Sequence, residues 1–371
     1  MAHRSGDVLL HDPLNGKARA GWRVPPDRFV DAPGGGAAYL LEPRNGKTVA
    51  DPPWAGDETW ESYRLEFDVC AVGENDGWVG PDFHVRDTGG GCCNLQFYSA
   101  RERADVVFET SARWWADDLG WKLYPMAQRT VRMPKGEWAR VRVDVGDTFA
   151  NVFVNDDRDP CYTVRHLPFS RGGVRLWNYV GSALFRNLRV TALGPGDIEP
   201  ILADPWDAVA GKEIVRGWVM GPPLAEGSAA SGWPEGAAPD ARAITVAADA
   251  WRPAPVDARG VVLVSAAGRE YVVGKGVVLA KAAVRSSRGG VRGARLTYTD
   301  QLTMWLNGRE VFRGERRGWF DPGRSEEGWF GRLKPDQYRA ELPHREGENE
   351  IAVRLEVNEP LFGSGFWVRL E

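Results

Sequence analysis

The chain has 371 residues, with 44 glycines, 25 prolines and 17 tryptophans, and 47 basic residues stand against 51 acidic ones for a formal net charge of −4. That length exceeds one ordinary domain and is enough for two, each able to bury a core without covalent staples. The near balance of charge excludes a phosphate-backbone binder, which needs a basic stripe, and no apolar stretch approaches the ~20 residues of a membrane-spanning helix.

Short apolar runs, abundant Gly and Pro and an almost complete lack of helical periodicity predict an all-β protein with two β-sandwich domains in tandem, at 1–193 and 194–371. The opening MAHRSGDVLLHDPL has no apolar signal-peptide core, so cytoplasmic residence is expected, or an extracellular one if a leader has been removed. Four cysteines (Cys70, Cys92, Cys93, Cys161) fall in the first half without zinc spacing. Cys70 or Cys92 paired with Cys161, or buried free thiols, both fit that pattern.

In chain order, Asp7–Leu10 and Ala38–Leu41 are short strand candidates. From Tyr63 the alternation is regular, and YRLEFDV sets Leu65, Phe67 and Val69 inward with Arg64, Glu66 and Asp68 outward. Asp76–Tyr98 reads as two strands joined by a hairpin over Thr88–Gly91. At strict period 2, Phe83 and Val85 share a core face, while Asp82, His84 and Arg86 share the other. On the partner strand Cys93, Leu95 and Phe97 are apolar, and Asn94, Gln96 and Tyr98 form the polar row, bordered by Trp78. DVVFET (Asp105–Thr110) follows, then an aperiodic insertion, Ser111–Met133, with Trp114, Trp115, Trp121 and Tyr124. Loops that long inside a domain are often functional. WARVRVDV, FANVFV, GGVRLWN and ALFRNLRV complete the first unit, with Arg175 and Trp177 facing away from Val174 and Leu176. Leu193–Pro200 reads as a linker. In the second unit, strands are predicted at Val261–Val264, Tyr271–Val273, Gly276–Val284, Ala294–Tyr298, Glu348–Val357 and Gly365–Leu370. Asn307-Gly308 between alternating strands predicts a type I′ hairpin.

The order YRLEFDV, WARVRVDV, FANVFVND, GGVRLWN and ALFRNLRV, covering Tyr63–Val190, resembles the laminin-G-like, concanavalin-like jelly roll. That resemblance implies two packed antiparallel sheets, one concave, with ligands on the concave face or its rim loops. The closing FRNLRV is also similar to the domain of 3-keto-glycoside hydrolases, whose site residues do not match here position by position. The run YTDQLTMWLNGREVFRG, with GENEIAVRLEV and GFWVRL, resembles the galactose-binding-like jelly roll that accompanies glycoside hydrolases, over Ile214–Glu371. In such domains the Asn-Gly hairpin is structural.

The leading functional reading is a carbohydrate-binding protein. Pyranose C–H faces stack on electron-rich indoles while hydroxyls bond to neighbouring polar groups. The candidate ligand-binding residues are Trp78, Asp82, His84, Arg86, Asn94, Gln96, Tyr98, Arg175 and Trp177, with Trp114, Trp115 and Trp121 as a rim. The alternative is a glycoside-processing enzyme using Asp82 and His84, two positions apart on one face, where a carboxylate would orient an imidazole. Glu66 and Asp68 have the spacing of a glycosidase carboxyl pair, but the E-x-D-x-x-E phrase of concanavalin-like glucanases has Ala71 in its third acidic position. A protein interaction module is a further alternative. The expected partner is thus a carbohydrate, with neither nucleic acid nor membrane. No cofactor is expected, although Asn155, Asp156, Asp157 and Asp159 form an oxygen-rich turn of the kind that holds structural Ca²⁺. Local capping explains the same residues. In the second unit, Trp319, Phe320, Trp329 and Phe330 would line another sugar site or dock the two units.

Overall fold

A computed structural model describes residues 3–17, 20–43, 52–74, 77–86, 91–100, 103–111, 122–123, 129–156, 158–165, 167, 169–194, 196–203, 205–225, 248–257, 259–264, 267, 276–315, 333, 335–357 and 364–371. It is an all-β protein whose described helical elements are short 3₁₀ turns at Pro205–Val209 and Ala248–Ala250. The chain forms two compact units, Met1–Asp117 with Gln128–Asp204, and Pro205–Glu371 with Asp118–Ala127.

In the first unit, one antiparallel sheet runs in the spatial order Tyr162–Arg165, Phe149–Val154, Ala139–Val145, Tyr63–Val72, Ser182–Ala192, Ala37–Leu41 and Phe29–Asp31, with Val8–Asp12 also paired to Ser182–Ala192. The YRLEFDV alternation does what its period requires. Tyr63, Leu65, Phe67 and Val69 are all but closed to solvent, and Leu65 and Phe67 lie opposite Val143 and Val141. The alternate positions carry ion pairs instead: Arg64 with Asp144 at 2.7 Å, Arg140 with Glu66 at 3.1 Å and Arg186 with Asp68 at 3.0 Å. Glu66 and Asp68 therefore belong to a charge-paired outer row.

The second sheet of this unit orders Arg103–Ser111, Cys92–Ala100, Gly77–Val85, Gly173–Tyr179, Trp54–Ala55 and Trp22–Val24. Its buried apolar row is Val79, Phe83, Cys93, Leu95, Phe97, Val174 and Leu176. The two sheets meet at Tyr63, whose ring stands edge-on to the His84 imidazole, with centroids 5.7 Å apart. The Leu193–Pro200 segment read as a linker is fastened to the first sheet at its end: Asn151 Nδ2 donates to the Glu199 carbonyl, and the Leu202 N–H donates to Thr163 Oγ1. All four cysteines are free thiols, so the Cys161 disulfide is not formed.

The second unit is also a sandwich. One sheet orders Arg252–Pro253, Trp218–Met220, Gly276–Ser286, Gly347–Val357, Gln301–Leu306 and Arg309–Glu315, and a four-stranded one orders Val262–Leu263, Gly365–Leu370, Gly290–Tyr298 and Tyr338–His344. Both sheets feed one core, with Trp218, Val278, Met304 and Val353 from the first and Val262, Leu296, Phe366 and Val368 from the second. The Asn-Gly hairpin is present, with φ of 51° at Asn307 and 81° at Gly308, the left-handed pair that a type I′ turn requires. The predicted Tyr271–Val273 strand lies outside the described residues, as do Trp319, Phe320, Trp329 and Phe330.

Candidate functional site

Strand register places four ranks of residues on the outward face of the second sheet of the first unit. Tyr179 lies opposite Trp78, and Trp78 opposite Tyr98; Trp177 lies opposite Gly80; Arg175 lies opposite Asp82, and Asp82 opposite Asn94; Gly173 lies opposite Val85. Gln96 shares this face by alternation with Asn94. Seven of the nine residues read from the sequence are thus brought to one face, namely Trp78, Asp82, Asn94, Gln96, Tyr98, Arg175 and Trp177.

His84 and Arg86 are not. Between Phe83 and Val85 the pairing with Gly173 and Val174 slips by one residue, and His84 is the extra one, at a φ of 47°. A bulge leaves the added residue unpaired and re-aims the side chains beside it. His84 turns inward to Tyr63, and Val85, expected in the core, joins Trp54 and Cys92 on the outward face. Gly172 allows this, because a Cβ there would lie 2.4 Å from the His84 carbonyl carbon. The His84 N–H donates to Tyr63 Oη at 2.9 Å, and its ring nitrogens lie 2.7 Å from the Phe169 carbonyl and 3.0 Å from that of Glu61. Burial lowers the His84 pKa against the opposing pull of those two carbonyls, and burial raises that of Tyr63. Arg86 ends the strand beside Glu58, at 3.4 Å, and over the Phe169 ring. The proposed Asp82–His84 acid–base couple is therefore not assembled, since the two side chains occupy opposite faces.

Asp82 instead anchors a polar row. Arg175 Nε donates to its Oδ2 at 2.5 Å, and Asn94 Nδ2 donates to its Oδ1. Arg175 Nη2 also reaches Cys92 Sγ at 3.5 Å. Burial opposes the Arg175 charge, but the adjacent Asp82 carboxylate prevails and raises its pKa. The row is closed rather than open: Asp82 and Asn94 are 0% exposed, whereas the Arg175 side chain keeps 25% exposure. Polar residues can stay inside here because they satisfy one another, which period-2 reading cannot foresee. Two polar atoms do not share in this satisfaction. Asn94 Oδ1 and Trp54 Nε1 are buried without a hydrogen-bond partner. One rank along, Trp177 and Tyr179 stack with centroids 6.5 Å apart and planes 7° from parallel. Trp177 is buried and Tyr179 half-buried.

Three members of this face escaped sequence reasoning. Tyr179 continues the Arg175, Trp177 alternation, so extending the strand by two residues would have found it. Cys92 alternates with Asn94 in the same way. Trp54 had no such signal, because its strand is two residues long and follows Pro52-Pro53. Elsewhere, Asp156 accepts from the Arg158 and Asp159 N–H groups at 2.7 and 3.1 Å, which lowers its pKa, and Asn155 Oδ1 accepts from the Arg140 N–H. These are turn-capping contacts. Asp157, Trp114, Trp115, Trp121 and Tyr124 lie outside the described residues, among which no cluster of three or more His, Cys, Asp or Glu side chains has metal-binding geometry.

Fold and face together define a class, an all-β sandwich protein with a polar and aromatic row across one sheet. No family model matches the chain, and no curated protein matches it. Among solved structures, it is similar to a carbohydrate-binding module, CBM66, from Bacillus subtilis, at 12% identity and a TM-score of 0.36, covering 46% of this chain and 96% of that one. It is also similar to domain 4 of a GH43 extracellular arabinanase from Geobacillus stearothermophilus, at 14% identity and a TM-score of 0.34, covering 52% and 97%. A Bacillus licheniformis β-glucanase is similar at 9% identity and a TM-score of 0.33, covering 51% and 99%. At such scores these likenesses carry no argument about function.

Proposed function

We propose that the first unit binds a carbohydrate on the outward face of its second sheet. The observation that carries this reading is the polar rank Arg175–Asp82–Asn94 set beside the parallel Trp177 and Tyr179 rings. Sugars need both halves of such a site, an aromatic plate for their C–H faces and a fixed set of donors and acceptors for their hydroxyls. Arg175 and Tyr179 are the accessible members of the two halves and make first contact. Asp82 works from behind, holding the guanidinium in one orientation, so that its remaining N–H groups are presented without a search over rotamers.

The test is a glycan array followed by calorimetry on wild type, Arg175→Ala and Tyr179→Ala. Each substitution should weaken the selected glycan about tenfold or more, which corresponds to the loss of a charge-assisted hydrogen bond or of one aromatic contact. Retention of full affinity by both variants, with folding verified by circular dichroism, would place binding elsewhere.

A further inference from the structure

Immediately after Tyr179 the chain reverses through Val180 and Gly181 into the strand Ser182–Ala192. The Gly181 N–H donates to the Tyr179 carbonyl at 2.7 Å, and Val180 between them has a φ of 63°. A hydrogen bond from residue i to i+2 around a positive φ is the rare, strained form of the γ-turn. Among the described residues, Val180 is the one β-branched side chain at a positive φ. Such side chains tolerate that region worst, whereas glycine occupies it without steric cost. A strained conformation of this kind persists only where its surroundings over-determine it.

Here two features do so. Gly77 on the neighbouring strand lets the turn lie flat against it, since a Cβ there would stand 2.0 Å from the Gly181 nitrogen and 2.7 Å from the Tyr179 carbonyl oxygen. Asn178, 0% exposed, closes the turn from the inside by donating from Nδ2 to the Gly181 carbonyl at 2.7 Å. Asn178 alternates with Trp177 and Tyr179, so its side chain leaves the strand on the face opposite theirs and acts only through the turn. That turn matters to the face because Tyr179 is the last residue of its strand. The ladder ends there, and the bond to the Gly181 N–H is what fixes the backbone beyond it. A ring already held parallel to Trp177, with planes 7° apart, meets a sugar without the entropic cost of being ordered on contact.

Resting on the glycan-binding reading above, we infer that Asn178 is a positioning residue for that site: its amide holds the strained Val180 turn closed, and the closed turn fixes the Tyr179 ring in its parallel pose against Trp177. The experiment compares the full chain as wild type, Asn178→Ala, Val180→Gly and the double variant. Each is screened on a printed glycan array and titrated calorimetrically with the glycan that gives the strongest wild-type signal. Near-ultraviolet circular dichroism reads the Trp177–Tyr179 pair without ligand. Asn178→Ala should weaken binding about tenfold and change the aromatic dichroism, the size expected for losing one pre-ordered aromatic contact. Val180→Gly removes the steric penalty of the turn, so on its own it should keep affinity within about twofold and leave the urea midpoint unchanged or higher. In the double variant the turn no longer needs its clamp, and affinity should return to within about threefold of wild type, together with the dichroism. An asparagine that served only general stability would show no such rescue. Full affinity in folded Asn178→Ala, no recovery in the double variant, or a lowered urea midpoint for Val180→Gly would overturn the inference. Should Asn178→Ala fail to fold, the double variant carries the test, and its failure to fold or bind overturns the inference as well. Weakened binding by Tyr179→Ala beside full affinity in Asn178→Ala would leave the general reading standing alone. No binding of any glycan by wild type overturns both.

Discussion

The Asp82–Arg175 pair supplies the sharpest energetic test of how this face is built. Asp82 is fully buried and accepts from Arg175 and Asn94, while the Arg175 side chain retains 25% exposure. Breaking a buried ion pair by removing one partner costs about 3–5 kcal/mol, because the other charge is left uncompensated. Arg175→Met strands the less exposed partner and should sit near the top of that range, at about 4 kcal/mol. Asp82→Leu leaves a guanidinium that can recruit water on its exposed side, so about 3 kcal/mol is expected. The double variant Asp82→Leu/Arg175→Met removes both charges, and apolar replacement of a buried pair is commonly close to neutral. Its cost should therefore fall about 3 kcal/mol or more short of the sum of the singles. Urea unfolding followed by tryptophan fluorescence reads this out as shifts in midpoint at constant slope. Single variants that each cost under about 1 kcal/mol, or costs that simply add, would refute the argument that this pair is desolvated and coupled.

Other expectations follow from the same physics. Burial lowers the His84 pKa below its ordinary value, so between that lowered value and about 6.5 the unfolded chain binds a proton that the native one does not. Stability should therefore be complete above about pH 6.5 and fall as pH drops toward the lowered pKa, and His84→Gln should flatten that segment of a stability-against-pH curve. A wild-type curve that rises on acidification through this window would contradict the assignment. Asn349 is 1% exposed and bonds to Asn307 Nδ2, to the Arg345 N–H and carbonyl, and to the Gly347 carbonyl. Asn349→Ala should cost the second unit about 2–3 kcal/mol in chemical unfolding, since it removes four part-buried hydrogen bonds at once. Cys93 is fully buried with its pKa raised well above the thiol norm by burial, so it should resist a thiol reagent in the native protein and react only on unfolding. Rapid native-state labelling at Cys93 would be inconsistent with the closed sandwich.

The sequence made much of this legible, and its failures have physical causes. YRLEFDV could be read because one face of that strand is apolar and the other is charged and ion-paired. Asn307-Gly308 was readable because few dipeptides tolerate two successive positive φ angles. The placement of Asp82, Asn94, Gln96, Arg175 and Trp177 on one face came from the same alternation. His84 broke it. A strict period assumes an unbroken ladder, and the bulge depends on Gly172, far away in sequence, clearing space beside the His84 carbonyl. No glycine marks the bulge itself, so nothing local announces it. The closure of the polar row was equally hidden, because alternation separates polar from apolar and not exposed from buried. Asp82, Arg175 and Asn94 come from three strands, and only their pairing in space lets them dispense with water. Trp54 is reached last by any sequence pattern, since a two-residue strand has no period.

A crystal structure of the protein soaked with the glycan that an array selects bears most directly on the binding face. Ligand density against Arg175 and Tyr179 is the predicted result. Density confined to the Glu66 and Asp68 face of the first sheet, or to the second unit, would contradict it.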